Sequence, residues 1–130
     1  MFLATAPKLG LIGRHVLSVI GLASSGIGMI IGLASYLEGT RASNQQGLGR
    51  DKTLVLLFEK PNLRTRVSFE VAMTYLGGHA LFPSGGEFIF DSRETPEDAA
   101  RVLCRYVDAI SVGTHAQEPL IRFSAAPRFP

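Results

Sequence analysis

The order of apolar and polar residues along the chain predicts alternating strands and helices. The run Thr53–Phe58 is almost entirely apolar, as expected for a strand that is buried on both faces of a parallel sheet. Apolar residues at helical spacing predict a helix over 63–76, and Gly77 and Gly78 would end it. The core contacts of this helix are expected from four residues: Val67, Val71, Met73 and Leu76.

The pattern beyond this helix predicts two further strands and another helix. Residues 79–82 are expected to form a short strand, and residues 108–112 a third strand. Thr95 followed by Pro96 is typical of a helix start, because threonine caps a helix and proline is tolerated at its first position. This helix is expected to extend to about residue 106, with four residues facing inward: Ala99, Val102, Leu103 and Tyr106.

This order of elements predicts an α/β fold. A last helix is expected to open at residues 114–118, and the loop at 83–93 has room for a short strand at Phe88–Phe90. Strands and helices that alternate through right-handed crossovers give three layers, with a central parallel sheet flanked by helices. We expect residues 1–51 to supply an N-terminal helix and a polar loop, and residues 52–130 to form the core of the domain.

The stretch His15–Leu37 has no formally charged residue and leaves two interpretations open. As one helix it would be about 33 Å long, which is enough to cross a bilayer. Its glycine and serine residues make it only moderately apolar, which favours a partly buried helix of a soluble domain. A membrane-anchored domain is the alternative.

Composition narrows the functional classes. The 130 residues suffice for one domain with one core, and a net charge of +2 is too small to indicate nucleic-acid binding. Cys104 has no second cysteine to pair with, and its apolar helical surroundings predict a buried, reduced thiol that suits the cytoplasm. No group of His and Cys residues has metal-ligand spacing, so no metal site is expected.

The segment between the first predicted strand and its helix carries the candidate chemistry. Pro61 would end the strand, and Asn62 can cap the helix that follows. The free N–H groups of the first turn, the Arg64 guanidinium and the Thr65 hydroxyl could then bind one ligand, and a doubly charged oxyanion such as phosphate fits best. The alternative is a plain helix start with exposed arginines, although positive charge there opposes the helix dipole.

Residues 59–73, Glu-Lys-Pro-Asn-Leu-Arg-Thr-Arg-Val-Ser-Phe-Glu-Val-Ala-Met, resemble the carbamoyl-phosphate loop of the ornithine carbamoyltransferases. The resemblance continues through residues 76–80, 93–103, 105–110 and 115–118. It implies the carbamoyl-phosphate domain of a transcarbamoylase, which in this family forms a homotrimer with shared active sites. It also implies transfer of a carbamoyl group from carbamoyl phosphate to the ornithine amine, giving citrulline and phosphate in cytoplasmic arginine biosynthesis. The reaction implied by the resemblance uses neither a cofactor nor a metal.

Carried over to this sequence, the resemblance implies catalytic roles for Arg64 and Thr65, which would hold the phosphate and the carbonyl oxygen. Asn62 and the backbone of Leu63 would bind phosphate, so these four residues form the expected substrate-binding set. Asn62 stands where the family usually has a serine. Arg66 is expected to support the loop rather than to touch the substrate.

Two positions depart from the family pattern. An ungapped register places Ile89 where the family has a polar residue that touches phosphate in a neighbouring subunit. It places Gly113 where the family has an arginine that holds the carbamoyl oxygen, and losing one such contact typically costs about 100- to 1000-fold in rate. The domain that would bind ornithine is also missing from these residues. A degenerate relative that binds phosphate or forms a trimer without catalysis is therefore a further alternative.

Overall fold

The computed structural model describes residues 13–39, 47–83, 90 and 92–125. The chain divides into two compact units, Met1–Asn44 and Gln45–Pro130. In the first unit the described residues form helix α1, Ser24–Gly39. The division after residue 51 that the sequence suggests stays a prediction.

Helix α1 begins later than the apolar pattern predicts. Just before it, the Leu22 N–H donates to the Val19 carbonyl at 3.0 Å, and the Gly21 N–H donates to the Ser18 hydroxyl at 3.3 Å. A serine hydroxyl that bonds to a nearby N–H competes with helix formation. The prediction of one helix over His15–Leu37 was therefore wrong in its N-terminal part. No helix in the described part of the chain is long and apolar enough to cross a membrane.

In the described part of the second unit, three parallel strands form a sheet. They are β1 (Thr53–Phe58), β2 (His79–Leu81) and β3 (Ala109–Gly113), in the order β2-β1-β3. Leu54 of β1 pairs with Ala80 on one side and with Ala109 on the other. The helices of this unit are α2 (Leu63–Leu76), α3 (Pro96–Leu103) and α4 (Gln117–Ser124). This is the predicted α/β fold.

Strand β1 is buried on both faces, and its residues divide between two cores. One core combines Val55 and Leu57 with residues of α3, α4 and the turn before β3: Ala99, Ala100, Val107 and Phe123. The other core contains Leu54, Leu56 and Phe58, and Met73 of α2 packs against it. Successive strand residues point to opposite faces, so one apolar run supplies both cores and is covered by helices on both sides.

The starts of α2 and α3, and the end of α2, follow local capping signals. The Asn62 Oδ1 accepts the Thr65 N–H at 3.2 Å, and the Thr95 hydroxyl accepts the Asp98 N–H at 3.2 Å. Gly77 ends α2 with a φ of 80°, a left-handed conformation that glycine adopts readily. The start and end of α2 therefore lie where the sequence predicts them.

Helix α2 contributes less to the core than its apolar pattern predicts. It has no buried residue, and Val67 and Val71 are 45% and 40% exposed. The neighbouring strand β2 has only three residues, so this part of the sheet covers only a narrow stripe of the helix. The prediction that Val67 and Val71 contact the core was wrong, whereas Met73 packs against it as expected.

Helix α3 is shorter than predicted, because it ends at Leu103 and residues 104–106 form turns. Its inward face is centred on Ala99 and Leu103, from which Val102 is turned away. Val102 is 52% exposed and Tyr106, beyond the helix, is 77% exposed. The predicted inward positions of these two residues were therefore wrong.

Smaller differences concern the segments that flank the third strand. Cys104 is half-buried rather than buried, and its thiol donates to the Arg101 carbonyl at 3.3 Å. Helix α4 begins at Gln117, since the Thr114 hydroxyl accepts the Ala116 N–H at 3.2 Å in a turn before it. The strand suggested at Phe88–Phe90 lies outside the described residues, except for Phe90.

Candidate anion site

The parallel pairing of β1 with β3 brings the carboxyl ends of both strands to one edge of the sheet. Phe58 pairs with Gly113, so the chain leaves the two strands side by side. The Glu59 N–H donates to the Gly113 carbonyl at 3.0 Å, which extends the pairing by one residue. Ligands of open parallel sheets bind outside this edge. Residues 60–66, which we call the anion loop, begin there and run into α2.

Asn62 lies at the N-terminus of α2, as the sequence predicts. Its side-chain oxygen accepts the Thr65 N–H, and its carbonyl accepts the Arg66 N–H at 3.0 Å. Because Oδ1 is directed at the helix, the N–H₂ end of the amide is left for another acceptor. Leu63 follows and is 74% exposed, so its backbone rather than its side chain is suited to a polar ligand.

Arg64 and Thr65 occupy the first turn of α2. Arg64 is exposed, and its guanidinium makes no hydrogen bond or ion pair with any other residue that the structure describes. An unpaired cation at the positive end of a helix dipole is unfavourable alone and favourable beside an anion. The structure thus places Asn62, Leu63, Arg64 and Thr65 in one turn at the expected edge, and their contacts with substrate stay a prediction.

Arg66 differs from Arg64 because its guanidinium is already bound. Its Nε donates to Glu70 Oε1 at 2.9 Å, and its guanidinium carbon lies 4.2 Å from the centre of the Phe82 ring. The ion pair spans one helical turn, and the ring contact joins α2 to the end of β2. This geometry agrees with the expected supporting role of Arg66.

Glu59 lies directly before the anion loop and was not among the site residues predicted from the sequence. Its carboxylate accepts the Thr114 hydroxyl at 2.7 Å and the His115 N–H at 3.1 Å. Partial burial acts to raise the pKa of Glu59, but these hydrogen bonds and a third from the Phe90 backbone outweigh burial and lower it. These donors lie far from Glu59 in sequence, so no local pattern could have indicated them.

Gly113 lies against the ring of Phe58. A Cβ atom at position 113 would lie 2.7 Å from Phe58 Cδ1, so any side chain there requires the ring to move. Position 113 itself, the last residue of β3, therefore offers no side chain to a ligand. Ile89, the other position that departs from the family, lies outside the described residues.

A cavity of about 660 Å³ lies at the opposite, amino-terminal edge of the sheet. Its lining includes Met73, Leu76 and Tyr106, together with the ion pair between Lys52 and Asp108. None of the predicted site residues lines it, so the cavity is separate from the anion site. Among the described residues, no three His, Cys, Asp or Glu side chains are grouped so that they could hold a metal ion.

Comparison with known proteins gives the family. The family model described as the carbamoyl-P binding domain of aspartate/ornithine carbamoyltransferase matches residues 14–129. The curated ornithine carbamoyltransferase of Parafrankia sp. (strain EAN1pec) is 40% identical over 119 residues, which is 90% of this chain and 38% of that protein. The chain thus spans well under half the length of this relative.

Solved structures share the fold. The ornithine carbamoyltransferase of Pyrococcus furiosus superposes with a TM-score of 0.78 at 37% identity, over 90% of this chain and 39% of that chain. The aspartate transcarbamoylase of Trypanosoma cruzi, solved in complex with carbamoyl phosphate, gives 0.75 at 25% identity, over 89% and 38%. With the family match over most of its length, this chain belongs to the aspartate/ornithine carbamoyltransferase family and corresponds to its carbamoyl-phosphate-binding domain.

Proposed function

We propose that residues 62–65 bind carbamoyl phosphate, so that this chain supplies the carbamoyl-phosphate half of an ornithine carbamoyltransferase. The observation that carries the proposal is the position of Arg64 on the first turn of α2. Its guanidinium is exposed there and is unpaired among the described residues. It lies where a parallel sheet binds its ligands. Membership of the family supplies the identity of the anion.

The proposed reaction is attack of the ornithine δ-amine on the carbonyl carbon of carbamoyl phosphate. A C–N bond forms as the C–O bond to phosphate breaks, which gives citrulline and phosphate. Arg64 and Thr65 would hold the phosphate and the carbonyl oxygen, where negative charge grows in the transition state. The Asn62 N–H₂ group and the Leu63 backbone would hold the phosphate. Donors that are oriented before the reaction stabilise this charge without reorganisation.

The proposal extends to the assembly and the cellular setting. The ornithine site would come from a second domain, and the catalytic unit would be a homotrimer, as the resemblance to the family implies. A cytoplasmic role in arginine biosynthesis fits the free thiol of Cys104. Light scattering from the purified chain tests the trimer, for which three times the mass of one chain is expected.

Calorimetric titration of the chain with carbamoyl phosphate, and separately with phosphate, tests the anion site. Saturable binding is expected. Arg64→Ala is expected to weaken it about 100-fold, because the charge-assisted, bidentate hydrogen bonds of the guanidinium to the phosphate are lost. Arg101→Ala is the matched control, since Arg101 is an exposed arginine on α3 that pairs with Asp98 at 2.7 Å. Equal binding by the wild type and Arg64→Ala would contradict the proposal.

Catalysis by these 130 residues alone is a separate question. We expect no measurable citrulline from the purified chain with carbamoyl phosphate and ornithine. Gly113 lacks the side chain that the family uses for the carbonyl oxygen, and these residues do not include the ornithine domain expected from the family. Citrulline production that Arg64→Ala abolishes would refute this expectation.

A further inference from the structure

Glu59 joins the anion loop to strand β3. It follows β1 directly and is the residue before the loop. Its N–H donates to the Gly113 carbonyl at 3.0 Å. Its carboxylate accepts the Thr114 hydroxyl at 2.7 Å and the His115 N–H at 3.1 Å. The main chain and the side chain of one residue are therefore both bonded to the end of the neighbouring strand.

The same carboxylate also reaches a third segment of the chain. The Phe90 backbone hydrogen-bonds to it. Phe90 belongs to one of the two cores, and its ring meets the Phe123 ring of α4 edge-on, with centroids 5.7 Å apart. Glu59 thus connects the start of the anion loop with a buried core as well as with β3.

The residues between Glu59 and Asn62 have few other attachments. Lys60 and Pro61 are exposed, and neither hydrogen-bonds with another residue in the described part of the chain. Proline has no N–H, so it cannot continue the pairing with β3. Because the connection is only two residues long, the anchoring of Glu59 limits where Asn62 and the first turn of α2 can lie relative to β3.

Building on the proposed function, we propose that Glu59 is a positioning residue of the anion site, which acts through the anion loop and does not touch the anion. Its donors, the Thr114 hydroxyl and the N–H groups of His115 and Phe90, engage the carboxylate within the protein. Supporting hydrogen bonds of this kind decide whether binding groups are held in a productive arrangement. Loss of the carboxylate frees the loop to move relative to β3.

Asp108 provides a matched control, because it makes an equivalent connection between the same two strands, β1 and β3, at the opposite edge of the sheet. Its N–H donates to the Thr53 carbonyl at 2.9 Å, and its carboxylate accepts the Thr53 N–H at 2.9 Å and the Lys52 ammonium at 2.8 Å. Glu59→Gln and Asp108→Asn therefore each weaken a carboxylate bridge between β1 and β3. Only the first bridge adjoins the anion loop.

The experiment compares these two variants of the full chain by amide hydrogen exchange and by calorimetric titration with inorganic phosphate. Glu59→Gln is expected to speed exchange of the N–H groups of residues 63–66 about tenfold, and to raise the phosphate Kd about tenfold. Asp108→Asn is expected to change neither, although both variants lower the free energy of unfolding. A general loss of stability would affect both variants alike.

Thr114 gives a second route to the same test. Thr114→Val removes the shortest hydrogen bond to Glu59, so it is expected to speed amide exchange of residues 63–66 and to raise the phosphate Kd, as Glu59→Gln does. Thr114→Ser keeps the hydroxyl and is expected to leave both quantities as in the wild type. Unchanged exchange at residues 63–66 in Glu59→Gln, or an equal increase in Asp108→Asn, overturns the positioning role. A wild-type chain that does not bind phosphate refutes the proposed function, while the exchange comparison still decides the role of Glu59.

Discussion

The two edges of the sheet carry the same kind of bridge and differ in what lies beside it. At the carboxyl edge, Glu59 joins β1 to the end of β3. At the amino edge, Asp108 joins β3 to the start of β1 and pairs with Lys52. The carboxyl edge adjoins a helix N-terminus with Arg64, which is unpaired among the described residues, whereas the amino edge adjoins the cavity and the last turn of α2.

This difference follows from strand direction. In a parallel sheet, the chain leaves every strand at the carboxyl edge, so the positive N-terminus of the next helix points back at that edge. Gly77, at the C-terminus of α2, returns the chain to the amino edge, which therefore faces the negative, carbonyl end of the helix. An anion is therefore favoured at one edge only, although a carboxylate bridges both.

The largest expected effect concerns Gly78, at the amino edge. A Cβ atom there would lie 2.5 Å from Met73 Cε and, more seriously, 2.7 Å from the carbonyl oxygen of Gly49. The Gly49 carbonyl belongs to the backbone and cannot turn away as a side chain can. Gly78→Ala should therefore lower the free energy of unfolding by about 3 kcal/mol, measured by urea unfolding. Gly47→Ala is the control, since a Cβ atom at Gly47 would meet nothing within 4 Å.

A smaller effect is expected at the carboxyl edge, for Gly113→Ala. The obstacle there is the ring of Phe58, a side chain that can turn, so the expected loss in unfolding free energy is about 1 kcal/mol. The double variant Gly113→Ala with Phe58→Leu should show less than the sum of the two single losses, because the smaller side chain relieves the contact. A loss at Gly113 as large as that at Gly78 would show that the two edges are equally rigid.

The smallest expected effect is the pH dependence of the two bridges. The Lys52 ammonium and the Thr53 N–H lower the pKa of Asp108, and the pKa of Glu59 is also lowered. A lowered pKa means that the stabilisation is complete above the ordinary carboxyl pKa and is lost as pH falls through the lower, folded-state value. Both groups are partly solvated, so screening keeps the effect small.

Urea unfolding at a series of pH values between neutral and strongly acidic checks this expectation. Each of Glu59→Gln and Asp108→Asn should flatten the acid side of the stability curve, and the double variant should flatten it further. Addition of salt should reduce the contribution of Asp108 to this pH dependence more than that of Glu59, because the partner of Asp108 is the exposed Lys52 ammonium. An acid slope that survives unchanged in the double variant would mean that other carboxyls are responsible.

The local signals in the sequence were sufficient for much of the fold. Strand β1 and helix α2 have the predicted ends, since the apolar run, the Asn62 cap and Gly77 act over a few residues. The anion loop lies at the predicted edge because parallel strand order determines which edge that is. Apolar spacing alone placed Val67 and Tyr106 in the core, where neither lies.

Taken by itself, the sequence determined the types and order of the elements of the second unit, the family, and the four residues expected at the anion site. These depend on short-range capping, on the spacing of apolar residues and on a motif of consecutive residues. The tertiary structure alone decided which helix faces are covered, that the Phe58 ring fills the space at Gly113, and that Glu59 bonds to Thr114. Those contacts join residues distant in sequence, and their existence depends on strand register and packing, which no local pattern encodes.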